Sequence, residues 1–421
     1  MRTPLWRILG GVAIVGLLLG LSLVGCTSAP APTPAPKETT ASVKPTTEPA
    51  KPAATKEAAL TGSASKEPYK IGAVLDITGP ASSLGIPSRN SALLWEEEIN
   101  KKGGIDGHPV KVIIYDGQSD TTQNVLAAKK LIDDDKVLAI VGPTQTGTTL
   151  AIADIAEKAG VPVIASAVGS DIVTPVKKWI FKSVQSDVDF ITMTVNYLKK
   201  MNISKVGFLS VSNAYGDSGR VAFEKAAKAA GIEIVASEKF ADKDTDLTVQ
   251  LTKIKGGNPQ AIVYTALPPA AAVLHKNAVQ LGINIPLINT GGIPNAAFIQ
   301  LAGDAANGAI APANKLLVAG DLPDTDRQKP VLLAYEKAYK QKFNVEPEFS
   351  GAISYDGLEM VGKALAKVGP DRAKIRDEIE KTKDYVGLIG IFNLSPTEHS
   401  GTHEEALVMV QVKNGKWTLI K

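Results

Sequence analysis

The stretch from Val137 to Gly169, VLAIVGPTQTGTTLAIADIAEKAGVPVIASAVG, decides the fold that this sequence predicts. It begins with a short apolar run, Val137 to Val141, which is typical of a fully buried strand and ends at a Gly-Pro pair. From Leu150 the apolar positions recur at nearly helical spacing until Gly160, and a second buried strand follows. This order predicts two parallel strands whose polar turns meet at one edge of an open α/β sheet, where such sheets bind ligands.

Thr146 lies in the first of these turns, just before the predicted helix. Its side chain has two alternative roles. It can fill the N-cap position of the helix, for which threonine is well suited. It can also donate its hydroxyl to a ligand carboxylate, because the free N–H groups and the dipole of a helix N-terminus favour an anion. From this stretch alone, the N-cap is the simpler interpretation.

The globular part extends from Tyr69 and contains about 350 residues, which is enough for two lobes. Strands alternate with helical patterns, and the further strands are predicted at 70–75, 110–115, 205–211, 233–237, 261–265 and 287–290. Such alternation predicts parallel sheets covered on both faces, here as two doubly wound lobes in tandem. Three helical patterns and a hairpin with an Asn414-Gly415 turn complete the chain.

The late helices have to pack on a lobe that is already built. We therefore expect the chain to return to the first lobe near Ala313 and to the second near Asn393, which gives three crossings and a hinge. The predicted lobes are 69–183 with 315–392 and 184–314 with 393–421.

The N-terminus carries targeting signals. Residues 1–25 have the basic start and apolar run of a secretory signal peptide, and the run barely reaches the length of the alternative, a membrane-spanning anchor. The residues Leu23 to Cys26 resemble a bacterial lipobox, which implies cleavage before Cys26 and lipidation of its sulfur. Residues 26–68, rich in Pro, Ala, Thr and Lys, predict a disordered tether to a membrane surface.

Composition and motifs exclude several functions. The formal net charge is only +3, with no basic stripe, which argues against nucleic acid as a partner. No dinucleotide or phosphate-binding glycine motif occurs, so we expect no nucleotide cofactor. The sequence GDSG at Gly216 imitates a serine-protease signature but opens a predicted helix. His399 and His403 are interpreted as two solvated loop histidines and not as a metal pair. We predict that the protein is not an enzyme.

Five motifs, taken in order, are more specific. They are IGAVLDITGPASSLG, EEINKKGGIDGHPVKVIIYD, IVGPTQTGTTLAIADIAEKAGVPVI, NAYGDSG and LINTGGIPN. Behind a lipobox, these motifs resemble the extracytoplasmic solute-binding lipoproteins of ABC importers, of the branched-chain amino acid (leucine/isoleucine/valine-binding, type I periplasmic binding protein) family. The resemblance covers Tyr69 to Lys421.

The resemblance implies a function as well as a fold. Two α/β lobes joined by three crossings would capture a small carboxylate ligand, a branched-chain amino acid or a related aliphatic or aromatic acid. A lipid-anchored monomer outside the cytoplasm would deliver it to ABC permease subunits. The alternative is a ligand-sensing module that reports to a membrane signalling partner.

Particular residues match the ligand-binding positions of this family. The resemblance implies that the Thr146 hydroxyl, with Gln145 beside it, and backbone groups at Ala167 and Gly169 hold the ligand carboxylate. Tyr215 of the second lobe would close over the ligand.

Two positions depart from the family pattern. Gly291 stands where the family has the glutamate that accepts the ligand amine, and Leu84 replaces an aromatic residue, with Leu267 following Tyr264 in the second lobe. An ammonium buried without an acidic partner costs several kcal/mol, so a ligand without an α-amine would fit at least as well. Alternatively, Gly291 serves only a turn that needs positive φ.

Overall fold

The computed structural model describes residues 66–420. The predicted signal peptide, the lipidation site Cys26 and most of the predicted tether lie outside the described residues. The last residues of that tether, which we expected to end at residue 68, already contact the globular body, because the Glu67 carbonyl lies 2.7 Å from His108 Nδ1. Across residues 66–420, no helix combines the length and the apolar composition needed to cross a membrane.

The first sheet consists of five parallel strands. They are β1 (Tyr69–Leu75), β2 (Val110–Asp116), β3 (Ile140–Val141), β4 (Val163–Ala165) and β5 (Ile180–Lys182). Their order along the sheet is β2-β1-β3-β4-β5. The intervening helices are α1 (Ser82–Lys101), α2 (Thr121–Asp133) and α3 (Thr146–Ala159). Because β1, β3 and β4 are neighbours, the polar turns at their carboxyl ends lie side by side.

The second lobe starts with α4 and continues the alternation. Its parallel strands are β6 (Lys205–Val211), β7 (Glu233–Phe240), β8 (Ala261–Thr265), β9 (Leu287–Asn289) and β10 (Ile310–Asn314). Its helices are α4 (Asp187–Lys200), α5 (Ala214–Ala230), α6 (Thr248–Gly256), α7 (Pro268–Gln280) and α8 (Ala296–Ala302).

The remaining helices return to the first lobe. They are α9 (Lys329–Phe343), α10 (Phe349–Val368) and α11 (Arg372–Glu380), followed by the short pair β11 (Tyr385–Val386) and β12 (Ile391–Phe392). Apolar residues of α9, α10 and α11 join the core that the first sheet forms with α1.

The chain ends in the second lobe with the antiparallel strands β13 (Leu407–Lys413) and β14 (Lys416–Leu419). The full order of this sheet is β14-β13-β10-β9-β8-β6-β7. Asn414 and Gly415 have φ of 50° and 70°, as the hairpin turn of an Asn-Gly pair requires. The chain thus passes between the sheets after β5, after β10 and before β13. The two-lobe α/β fold that the sequence predicts is confirmed.

The third passage lies later than we predicted. Asn393 was expected to begin the last second-lobe stretch, but Leu394 belongs to the first-lobe core. The Lys182 N–H also donates to the His399 carbonyl over 2.8 Å. His399 is only 1% exposed and stacks on Phe181 with ring centroids 4.1 Å apart, so the prediction of a solvated histidine is wrong. A loop without periodic apolar positions carries no signal of such packing.

Two helices begin where the sequence pattern did not place them. The helix α1 already begins at Ser82, within the polar residues that follow the strand predicted at 70–75, and the preceding Ala81 N–H donates to Ser119 Oγ over 3.0 Å. This tertiary contact fixes a start that local propensity does not favour. We did not predict α4, although Asp189 accepts a hydrogen bond from the Ser186 N–H over 2.8 Å, as in a capping box.

Trp95 provides a test of the first-lobe core. It is 1% exposed, and a Cβ added at Gly362 of α10 would lie 2.7 Å from its ring, so the two helices pack closely. We expect Trp95→Ala to lower the free energy of unfolding by about 3–5 kcal/mol because it leaves a large cavity. Urea unfolding followed by circular dichroism measures this change. Leu126→Ala, at a residue 54% exposed on α2, is the control; an equally small effect of both substitutions would contradict the prediction.

Candidate ligand-binding site

A cavity of about 230 Å³ lies between the lobes, at the carboxyl ends of both sheets. Drug-sized ligands occupy pockets of about 300–1,000 Å³, so this cavity suits a smaller molecule. The first-lobe wall includes Leu84, Thr144, Gln145, Thr146, Ser166, Ala167, Glu348, Phe349 and Ile353. The second-lobe wall includes Phe190, Asn213, Tyr215, Asp242, Leu267, Thr290, Gly291, Gly292 and Asn295. Seven of the eight predicted ligand-binding residues therefore line one cavity.

Thr146 is the first residue of α3, and Gln145 occupies the N-cap position without a side-chain capping bond. The N-cap interpretation of Thr146 is therefore wrong. Its hydroxyl oxygen instead accepts a hydrogen bond from the Gly169 N–H over 3.3 Å. A hydroxyl that accepts one hydrogen bond still has a proton to donate, and Thr146 lines the cavity. The residue can therefore present that proton beside the free N–H groups of the helix start.

The Gln145 side chain binds the buried carboxylate of Asp76. Its side-chain amide donates to Asp76 Oδ2 over 3.1 Å, and Thr144 Oγ1 donates to the same oxygen over 2.6 Å. Asp76 is fully buried and directly follows the last residue of β1. No sequence pattern marked this carboxylate, which holds the turn before α3 in place.

Gly169 does not line the cavity, and its role as a ligand-binding backbone position stays a prediction. It lies behind Thr146: a Cβ added there would meet Thr146 Cγ2 at 2.3 Å. Ala167, two residues earlier, does line the cavity. The intervening turn is held by the buried Lys182 ammonium, which donates to the Val168 carbonyl over 2.8 Å and to that of Gly169 over 3.3 Å. Burial lowers the pKa of Lys182 to about 8.

Tyr215 lies in the first turn of α5, next to Asn213, whose side chain accepts the Gly216 N–H over 3.0 Å and caps the helix. Burial raises the pKa of the Tyr215 phenol. A Cβ at Gly292 would lie 2.9 Å from the Tyr215 hydroxyl, so the glycine leaves room for the ring. Tyr215 therefore faces the turn that follows β9.

Gly291 has φ of 121°, a conformation that other residues rarely adopt. A Cβ at this position would meet Phe190 Cδ1 at 2.5 Å. Both observations support the interpretation that Gly291 serves a turn, and no side chain could replace the family glutamate here without displacing Phe190. Leu267, which precedes α7, and Leu84 both lie in the cavity wall as predicted.

Sequence reasoning missed three prominent wall residues. Phe190 lies on the unpredicted helix α4 and meets Phe349 edge to face across the cleft, with ring centroids 6.0 Å apart. Glu348 precedes α10, and its Oε1 accepts a hydrogen bond from the Ala296 N–H of the second lobe over 3.2 Å. The motif Glu346-Pro-Glu-Phe was a possible signal, because it places a carboxylate and an aromatic ring at a helix start.

The charge of the cavity wall is acidic. No lysine, arginine or histidine lines the cavity within residues 66–420, and its charged side chains are Asp242 and Glu348. Burial raises the pKa of Glu348, while the Ala296 N–H opposes that shift. A ligand carboxylate could therefore be held here by neutral hydroxyl, side-chain amide and backbone donors and by the N-terminus of α3.

Comparisons with known proteins agree with this geometry. A family model described as periplasmic binding protein matches residues 68–416. A leucine-, isoleucine-, valine-, threonine- and alanine-binding protein of Pseudomonas aeruginosa is 27% identical over 71% of this chain and 78% of its own.

Solved structures of similar fold are also ligand-binding proteins. An extracellular ligand-binding receptor of Rhodopseudomonas palustris has a TM-score of 0.79 and 27% identity, covering 84% of this chain and all of its own. A branched-chain amino acid transporter substrate-binding protein of Streptococcus pneumoniae, solved with isoleucine, has a TM-score of 0.75 and 29% identity, covering 83% and 98%. These relatives are binding proteins and not enzymes.

The contact between Gly169 and Thr146 can be tested by adding one methyl group. Gly169 has φ of −53°, which alanine tolerates, so Gly169→Ala acts through collisions of its Cβ with Thr146 at 2.3 Å and with Asp171 Oδ1 at 2.7 Å. We expect a loss of about 1–3 kcal/mol in the free energy of unfolding, as for other overpacked sites. Urea unfolding measures the loss. Gly256→Ala, whose Cβ meets nothing within 4 Å, is the matched control. If Gly169→Ala is as stable as this control, Gly169 does not support Thr146.

Proposed function

The chain belongs to the periplasmic binding protein family, and on that premise we propose that it is the solute-binding receptor of an ABC importer. In this proposal the protein captures a small carboxylate ligand between its lobes and delivers it to a membrane permease. The observation that carries the proposal is the cavity between the sheets, whose wall presents the Thr146 hydroxyl at the N-terminus of a 14-residue helix.

The proposed ligand is a branched-chain amino acid or a related aliphatic or aromatic acid. Apolar side chains from both lobes line the cavity and would surround the body of such a ligand: Leu84, Phe190, Leu267, Phe349 and Ile353. The names of the relatives support this class, because the P. aeruginosa protein is named for five amino acids and the S. pneumoniae structure contains isoleucine.

Capture would follow a change in the angle between the lobes. The ligand first meets Thr146 and the backbone at Ala167, and closure then brings Tyr215 and the second-lobe wall over it. Only the closed arrangement contacts the ligand from both sides, so ligand binding shifts the hinge equilibrium towards it.

The anchor and the location are part of the proposal. The family is extracytoplasmic, and we propose that a lipid on Cys26 holds the protein at a membrane face near the permease. Two lipid signals are generally needed for stable anchoring, which a diacylated cysteine would supply.

Thr146→Ala tests the carboxylate site. Loss of the hydroxyl should weaken carboxylate ligands by about 1–3 kcal/mol, or about 5- to 150-fold in Kd. Isothermal titration calorimetry with leucine, valine, phenylalanine and their analogues without the amine measures this loss. Thr146→Ser keeps the hydroxyl and should bind within about threefold of the native protein. Unchanged affinity in Thr146→Ala would remove this residue from the site.

Cys26→Ser tests the anchor. Without the thiol no lipid can be attached, so we expect the protein to move from the membrane fraction to the soluble fraction of the producing cells. Incorporation of radiolabelled palmitate by the native protein, and its absence in the variant, measures lipidation directly. Equal labelling of both proteins would contradict the assignment of Cys26.

The transport proposal and the sensing alternative predict different membrane partners. Permease and ATPase genes beside the gene for this protein favour transport, whereas a kinase or chemoreceptor gene favours sensing. In proteoliposomes that contain the permease, the ligand-loaded protein should stimulate ATP hydrolysis. No stimulation by a protein that demonstrably binds its ligand would favour the sensing alternative.

A further inference from the structure

Glu348 is a carboxylate in the cleft that lacks a cationic partner. It lines the cavity and is partly exposed, and within residues 66–420 the only hydrogen bond to its carboxylate comes from the Ala296 N–H. Within the same residues, it forms no ion pair with a lysine, arginine or histidine. The nearby Glu346, by contrast, is exposed and pairs with Lys340 at 2.7 Å.

An ionised carboxylate in this position has unused capacity to accept hydrogen bonds. It can accept about four hydrogen bonds, and one backbone N–H satisfies only part of that capacity. A charge withdrawn from water without an opposite charge is costly, and the cost falls when a cation arrives. The part of the cavity wall that residues 66–420 form contains no lysine, arginine or histidine, so a ligand would have to bring the cation.

We infer that Glu348 accepts the ammonium group of the ligand and makes the site selective for an amino acid over the same acid without its amine. The inference rests on the proposed function and assigns one subsite within it. It replaces the expectation, drawn from Gly291, that the ligand lacks an α-amine. A side chain at Gly291 would collide with Phe190, so a glutamate does not fit there. Glu348 instead reaches the cleft from the other lobe.

The sheet geometry separates this subsite from the carboxylate position. A Cβ on Gly147, next to Thr146, would lie 3.6 Å from Ala214 at the start of α5, whereas Glu348 contacts the start of α8. These second-lobe helices follow β6 and β9, which have β8 between them. The carboxylate and ammonium of an α-amino acid share one carbon atom, so such a ligand has to lie between Thr146 and Glu348.

Asp242, the other acidic wall residue, is less suited to this role. It is exposed, and its carboxylate already accepts a hydrogen bond from Asn213 Nδ2 over 2.7 Å. Solvent would weaken its attraction for an ammonium group. The observations therefore favour Glu348.

The test uses ligand pairs that differ only in the amine: leucine and 4-methylpentanoate, valine and 3-methylbutanoate, phenylalanine and 3-phenylpropanoate. Calorimetry at pH 7 compares the native protein with Glu348→Gln, which keeps the shape and an acceptor for the Ala296 N–H. In the pair that binds most tightly, we expect the native protein to prefer the amino acid by at least about tenfold and Glu348→Gln to lose that preference. Glu346→Gln removes the same charge from an exposed neighbour and should keep the preference.

The outcomes separate this inference from the proposed function. If the native protein prefers the acid without the amine, or if Glu348→Gln keeps the native preference, the role of Glu348 is overturned while carboxylate binding stands. Loss of the preference in Asp242→Asn but not in Glu348→Gln would also overturn it. If no member of any pair binds, the proposed ligand class fails and the inference fails with it. Circular dichroism and thermal unfolding confirm that each variant is folded.

Discussion

The buried carboxylate of Asp76 is the interaction on which the first-lobe wall of the cleft depends. It accepts hydrogen bonds from Thr144 Oγ1, the Gln145 and Asn124 side chains and the Ser119 N–H, at 2.6, 3.1, 3.0 and 3.0 Å. A buried charge without such donors costs several kcal/mol, so the loops have to supply them. Because the donors follow β2 and β3, one carboxylate fixes the turns after three neighbouring strands. The position of Thr146, which follows Gln145 directly, is a consequence of this network.

A second buried charge holds the next turn. Lys182 binds the carbonyls of Val168 and Gly169, and Gly169 in turn donates its N–H to Thr146. Neither Asp76 nor Lys182 lines the cavity, so these charges shape the wall without entering it. An acid in this cavity would meet neutral donors and a helix N-terminus, and no lysine, arginine or histidine among residues 66–420. Such recognition suits a receptor that has to release its ligand, because no desolvated ion pair between the protein and the carboxylate has to be broken.

The parts of this structure that could be predicted from sequence are those with a local cause. Buried parallel strands are continuous apolar runs, and the turns after them are marked by glycine and hydroxyl residues, so the sheets and the position of Thr146 in the wall were accessible. The contacts that complete the wall depend on residues far apart in the chain. Gly169 supports Thr146 sterically, Phe190 arrives on a helix hidden in a polar passage, and Glu348 reaches across the cleft. Residues 394–401 pack on the first lobe without any periodic signal. Tertiary packing completes these features, and the local signals near them, such as the capping box of α4, do not show which contacts they make.

The contacts across the cleft also bear on how the protein would respond to a ligand. Near the cavity they include the hydrogen bond between Glu348 and Ala296, the edge-to-face pair of Phe190 and Phe349, and the close approach at Gly147. A hydrogen bond or an aromatic pair contributes only about 0.5–1.5 kcal/mol. Contacts of this strength do not lock two lobes together, and a ligand that touches both walls can add a comparable or larger free energy. In the proposed mechanism, these contacts would keep the equilibrium between open and closed lobes within the range that ligand binding can shift.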